Sequence, residues 1–323
     1  MKKAFEIGKL RVEPGKTGKG WIHMGRNYSG DVKIPVIMAN GTEGEKTLLL
    51  QTGIHGTEYV GMDAILRLME SLDPLKLRGQ VLAIPFLNVP AFEYITRGGP
   101  RDNLDLNRVF PGKKDGYFSE RLAHLVVEEI LPKTDYAIDL HCAQMNDLQM
   151  GICGFFHSEE DPASLEMAKA FGIKTLWNLS SSGLKGTFSA VAEEMGIPNV
   201  VIEIGGEGRC LEEWVQLEIR GFYNVMKSLD MIDGEPEGLP SKFEIREGFY
   251  RHGNAGGFLR PKVSLGNDVK EGDLLGVIID FHSNVLEELK SPMDGRVLGL
   301  RTLPRISPGD WTFWVARTVM EIE

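Results

Sequence analysis

The 323-residue chain has only three cysteines, Cys142, Cys153 and Cys210, and no two of them share Cys-x-x-Cys spacing. That count argues against a disulfide framework and suits a reducing, cytoplasmic setting. No apolar run approaches the roughly 18–20 residues that cross a bilayer. The start of the chain offers a pair of lysines, Lys2 and Lys3, but no apolar core after them, so it does not read as a signal peptide. Dense Lys/Arg blocks are missing too, and the formal net charge is −10. This balance argues against nucleic acid or an anionic membrane as the main partner, although a local arginine cluster can still serve a small anion. Internal repeats and low-complexity tracts are absent as well. With 42% hydrophobic and 25% charged residues the composition is that of an ordinary globular protein, long enough for a sizeable core and two domains.

Patterning divides the chain. Residues 1–45 carry short alternating segments such as Val32–Ile37, which read as a β-hairpin lead-in. From 47 to about 230, apolar runs at 47–52, 80–87, 135–140, 150–155 and 199–204 read as strands. Amphipathic stretches at 57–71, 118–131, 162–171, 187–195 and 211–229 read as helices between them. This alternation predicts an α/β domain over 1–235 with a mostly parallel sheet. A Gly-, Pro- and acid-rich linker at 230–241 then leads to residues 243–323. There, short strands and regular turns predict a small all-β barrel-like domain, interrupted at most by a helix around 284–290.

The chemistry concentrates at strand ends. In the run from Thr47 to Gly61, Gly53 and Gly56 break an apolar strand just before a helical pattern, and His55 and Glu58 sit in the turn. Side chains placed there reach the carboxyl edge of an α/β sheet, where sites form. One imidazole with one carboxylate suits zinc, whose catalytic sites take three protein ligands and keep a position for water. His141 ends the strand-like run Tyr136–Leu140 and is the best third ligand. Asp139 is either its orienter or an unrelated cap. His157 is a weaker candidate, and His124 falls within a helix. Glu203 interrupts the apolar run 199–204, where an unpaired carboxylate costs several kcal/mol, and it is the candidate proton shuttle. Glu207 is the fallback. The loop 97–112 holds Arg97, Arg101 and Arg108 with Asn103 and Asn107, suited to gripping a carboxylate. Its bland reading is a solvated loop whose arginines pair with Asp102 and Asp105.

Four ordered segments resemble the succinylglutamate desuccinylase/aspartoacylase family, a branch of the zinc-carboxypeptidase-like fold, and its bacterial deacylases most of all. They are Gly53–Glu58, Asp105–Gly112, Asp139–His141 and Val201–Gly206. The resemblance implies a mixed, mostly parallel sheet flanked by helices and one Zn²⁺ held by His55, Glu58 and His141. It implies Glu203 as general base and acid, and Asn107 and Arg108 as holders of the substrate carboxylate. A further family arginine polarises the scissile carbonyl. Arg97 and Arg101 both fit that place, with Arg101 slightly favoured. The implied activity is hydrolysis of a small N-acyl amino acid or related amide. A peptide-cleaving metallocarboxypeptidase and a non-catalytic binding protein are the alternatives. The tail resembles the hammerhead domains of biotinyl and lipoyl carriers, but Asn284 stands where a carrier lysine would. A role in covering the cleft or in homo-oligomer contacts is expected of it instead.

Overall fold

The computed structural model describes residues 2–28, 30–143, 149–156, 162–179, 184–237 and 243–320. β1 (Phe5–Ile7) and β2 (Leu10–Val12) pair with each other, and β3 (Lys16–Asn27) and β4 (Gly30–Asn40) form a long antiparallel hairpin. The α/β part runs β5 (Glu43–Gln51), α1 (Val60–Ser71), β6 (Arg78–Ile84), α2 (Val89–Tyr94), α3 (Phe118–Leu125) and β7 (Tyr136–His141). It continues with β8 (Gln149–Phe156), α4 (Pro162–Phe171), β9 (Thr175–Asn178), α5 (Phe188–Glu194), β10 (Asn199–Gly206) and α6 (Glu212–Ser228). The strands and helices expected between 47 and 229 are present to within a few residues. α2 and β9 were not expected. At six and four residues, they are too short to show a period. α2 forms because Asn88 accepts a hydrogen bond from the Ala91 backbone and Pro90 sits in the first turn.

The tail adds β11 (Phe243–His252), β12 (Gly257–Pro261), β13 (Asp268–Val269), β14 (Leu274–Ile279), β15 (Val285–Lys290), β16 (Gly295–Leu300), β17 (Arg305–Ile306) and β18 (Trp311–Met320). The possible helix at 284–290 is β15. Val285 and Leu289 recur at helical spacing, but the segment pairs antiparallel with β14 along its length and buries Leu289 against the barrel core.

One twelve-stranded sheet runs in the order β13-β16-β18-β11-β9-β8-β10-β7-β5-β6-β4-β3. β5, β6, β7 and β10 are parallel to their neighbours within this group, as are β8 and β9, while β8 meets β10 antiparallel. The sheet is therefore mixed. Alternate residues feed two cores. Leu48, Leu50, Ile138, Leu140 and Ile202 face α1, α4 and α6, whereas Leu49, Leu82 and Ala137 face α3 and α5. With both faces covered, the central strands are apolar without alternation, and each fully buried leucine contributes roughly 1.5–3 kcal/mol.

Hydrogen bonding crosses the linker. β11 pairs in parallel with β9, and β16 pairs with β8 at Met150 and Gln149. Among the described strands of the tail, only β12, β14, β15 and β17 form a sheet of their own. The junction is packed by an aromatic stack in which Trp177 lies 5.5 Å from Trp314, and Trp314 lies 5.7 Å from Tyr250. No described helix is long and apolar enough to cross a membrane.

Candidate metal centre

β5 ends at Gln51, and the chain turns through Gly53 and Gly56 before α1 begins. Gly56 is required at its position. A Cβ there would lie 2.0 Å from the Ala91 carbonyl of α2, and its backbone N–H donates to Thr96 O at 3.0 Å. The turn is thus pinned to the segment that carries Arg97. It aims His55 and Glu58, each 2% exposed, at the end of β7, where His141 is 4% exposed.

The three side chains converge. Glu58 Oε1 lies 2.7 Å from His55 Nδ1, and its Oε2 lies 2.8 Å from His141 Nδ1. The Cys142 backbone N–H also donates to Glu58 Oε2, at 3.2 Å. Behind each imidazole stands a carboxylate. Asp105 Oδ1 is 3.1 Å from His55 Nε2, and Asp139 Oδ2 is 3.2 Å from His141 Nε2. Asp139 is completely buried and accepts a hydrogen bond from Gln51 Nε2 through its other oxygen. Carboxylates on both Nε2 atoms fix the rings so that both Nδ1 atoms turn to Glu58, the arrangement that surrounds a bound metal in histidine sites. One ligand atom from each of His55, Glu58 and His141 lies within 4.8 Å of the others. Among the described residues these three are positioned to hold a metal ion.

The electrostatics follow from burial. Desolvation works against the Glu58 charge, but the His55 and His141 charges outweigh it and hold the carboxyl well below the usual range. Desolvation likewise opposes His141 protonation, yet Asp139 and Glu58 raise its affinity for a proton well above the ordinary value. Asp105 is kept low, against its own desolvation, by His55 and Arg97.

Glu203 stands beside this cluster. In the parallel register of β10 and β7 it is the partner of His141. The pairing of β10 with β8 slips between Glu203 and Gly205. Gly205 has φ +77°, and a Cβ on it would lie 2.4 Å from the Trp214 ring. Glu203 is half-buried, and desolvation pushes its carboxyl up to about 7, with His141 pulling it back and Glu58 adding to the rise. A general base poised near neutrality is matched to work at pH 7. Glu207, in the loop beyond, has φ +60° and an ion pair with Arg209 at 3.6 Å.

The arginines separate. Arg97 enters the centre, with Nη1 3.5 Å from both His55 Nδ1 and Glu58 Oε1 and Nε donating to Asp105 Oδ2 at 3.1 Å. Arg101, slightly favoured of the two, is exposed and lies over the Phe118 ring at 4.8 Å. This separation has a backbone cause, because the Gly56–Thr96 bond brings residue 97 against the His55 turn. Asn107 places its amide nitrogen 3.4 Å from His141 Nε2 and accepts from the Phe188 backbone N–H. Arg108 is exposed, with one bond to its neighbour's carbonyl. Asp102 caps the turn at Ser119, whereas Asp105, which the sequence offered only as a loop ion pair, joins His55 to Arg97. His124 lies in the last turn of α3. His157 and the polar residues Gln144, Asn146 and Asp147 after β7 fall outside the described residues.

Residues 44–229 match the sequence profile of the succinylglutamate desuccinylase/aspartoacylase catalytic domain. The chain belongs to the succinylglutamate desuccinylase/aspartoacylase family. Within it, the chain is 30% identical to the N-alpha-acetyl-L-2,4-diaminobutyric acid deacetylase of Halomonas elongata, over 90% of this chain and 87% of that one. A succinylglutamate desuccinylase/aspartoacylase from Rhodobacter sphaeroides superposes with TM-score 0.85 at 32% identity, covering 94% of this chain and 96% of that one. The product-bound ectoine utilization protein EutE (DoeB) from Ruegeria pomeroyi gives TM-score 0.86 at 25% identity, covering 93% and 95%. The likeness to these relatives extends beyond the catalytic profile into the β-rich tail.

Proposed function

We propose that this member of the succinylglutamate desuccinylase/aspartoacylase family is a cytoplasmic zinc-dependent hydrolase that removes the acyl group from a small N-acyl amino acid. One observation carries the reading. Two buried imidazoles share one buried carboxylate, and each imidazole is oriented by a further carboxylate on its far nitrogen. Two nitrogens and a carboxylate are the donor count of a catalytic zinc site, and a bound zinc ion lowers the pKa of water and polarises a carbonyl. His55, Glu58 and His141 would hold the ion.

The rest of the work falls to the chain's own side chains. Glu203 takes a proton from the attacking water and hands it to the leaving amine, which its position near neutrality suits. Arg97 stabilises the oxyanion that develops at the acyl carbonyl, because its guanidinium lies 3.5 Å from the metal-binding atoms of both His55 and Glu58. Asn107 and Arg108 receive the substrate carboxylate, Arg108 exposed and engaged, among the described residues, only by a backbone carbonyl. Arg101 serves the surface of the loop. The Halomonas relative makes N-acetyl-2,4-diaminobutyrate the first substrate to try.

The test combines metal analysis of the purified protein with a hydrolysis screen. N-acetyl-2,4-diaminobutyrate, other N-acetyl and N-succinyl amino acids and blocked dipeptides form the panel, with Glu203→Gln as control. The expected outcome is about one zinc per chain, turnover of one N-acyl amino acid, no dipeptide cleavage, and a Glu203→Gln protein that binds zinc but is inactive. Full activity in that variant would refute the assigned mechanism.

A further inference from the structure

The four-stranded sheet of the tail packs one face on its own core through Leu259, Ile278, Leu289 and Ile306. Beside it lies an apolar surface that no described residue covers. Phe258 is 51% exposed and Leu286 49%, and Phe281, in the turn between β14 and β15, is wholly exposed. With Ile279 and Pro308 they line a groove of about 750 Å³ that also carries Arg260, Arg305 and Asp280.

The charges of this patch are unspent. Arg260 has no ion pair among the described residues, and Arg305 has only a distant one, 4.0 Å from Asp310. The Asp280 carboxylate accepts hydrogen bonds from the backbone of His282 and Asn284 and the Asn284 side chain, all neutral donors. One face therefore holds an aromatic knob, a groove that can receive it, an uncompensated anion and two cations. A two-fold interface places the same patch on both partners and so needs complementary features within one patch. An acidic partner would meet Asp280, and a basic one would meet both arginines. A second copy of this chain answers both signs at once.

We propose that this face is a two-fold interface between copies of the chain. Phe281 of each copy enters the groove of the other, and Asp280 of each meets Arg260 and Arg305 opposite. The net charge of −10 opposes indiscriminate self-association, which leaves a patch of mixed sign as the favoured place of contact. β15 is the outer strand of its sheet, and its free edge beside Leu286 can extend the contact toward the roughly 800 Å² per partner of a stable interface.

Sedimentation and light scattering on the full chain test the idea. The expected species has twice the 35.9 kDa chain mass. Phe281→Asp and Arg305→Glu should each raise the dissociation constant by roughly 30-fold or more, as loss of an interface hot spot does. Circular dichroism, kcat and KM should stay as in the parent. Arg305 is 71% exposed, so its replacement leaves folding intact. A parent protein that is monomeric up to its solubility limit overturns the proposal. So does a dimer whose dissociation constant neither substitution moves.

Discussion

Replacing Glu218 with methionine removes a carboxyl group that α6 holds entirely inside the protein. Glu218 is 0% exposed, and neither carboxyl oxygen has a hydrogen-bond partner among the described residues. Its neighbours along the same helical face, Trp214, Val215, Phe222 and Val225, belong to the core beneath the sheet. Burial alone pushes the carboxyl well above the ordinary glutamate value of 4.5. The folded protein therefore keeps a proton that the unfolded chain has released. Below pH 4.5 both states are protonated and nothing is lost. From there up to the folded-state value, stability falls as pH rises, by about 1.4 kcal/mol per pH unit for this one proton. Methionine has a similar length and no proton to lose, so the variant escapes this slope. It also escapes the cost of an unsatisfied buried polar group, about 1–3 kcal/mol. The difference in unfolding free energy between Glu218→Met and the parent should thus favour the variant, and from roughly pH 5 until the folded-state value is reached it should grow by about 1.4 kcal/mol per pH unit. Denaturant unfolding of both proteins across the range from about pH 5 to about pH 8 measures it. A difference flat in pH, or a variant less stable than the parent, would show that the carboxyl is solvated or paired and would refute the reasoning.

The remaining predictions concern the site. Arg97→Ala should lower kcat by roughly 10²–10³-fold, the usual loss of an oxyanion donor, while Arg101→Ala changes it only a few-fold; equal losses would contradict the assignment. Asp139→Asn should weaken zinc binding by roughly 10–100-fold in a chelator competition, with most turnover recovered at saturating metal. An unchanged affinity would mean that Asp139 does not orient His141. Gly205→Ala meets both the left-handed backbone and the Trp214 ring, and a loss of about 2–4 kcal/mol is expected. A melting temperature equal to the parent's would contradict that packing argument.

The candidate ligands and the proposed shuttle were legible because they are exceptions to a pattern. His55, Glu58, His141 and Glu203 are polar residues where strands of an apolar sheet end or should continue, and a parallel sheet gathers such ends at one edge. The loop arginines carried no comparable signal. The spacing admitted both Arg97 and Arg101, whereas a single backbone bond, Gly56 to Thr96, brings Arg97 against the His55 turn. Asp105 was hidden for the same reason, since its part depends on how the loop from 97 to 108 folds back on the His55 turn. Composition also marked a boundary near residue 235 that the hydrogen bonds do not respect. A linker of Gly, Pro and acids tells how the chain travels, and it carries no information about which strand β11 will join.

That joining has a consequence for synthesis of the chain. By the time α6 leaves the ribosome every candidate site residue has been made, but β9 still has an open edge, with Trp177 waiting for Trp314. An open edge beside an aromatic still lacking its Trp314 cover is a template for the wrong partner, and contacts so far apart in sequence form late. A message truncated in the linker would therefore yield a sticky fragment rather than a smaller enzyme, and nascent chains paused there would be where a holding chaperone is needed most.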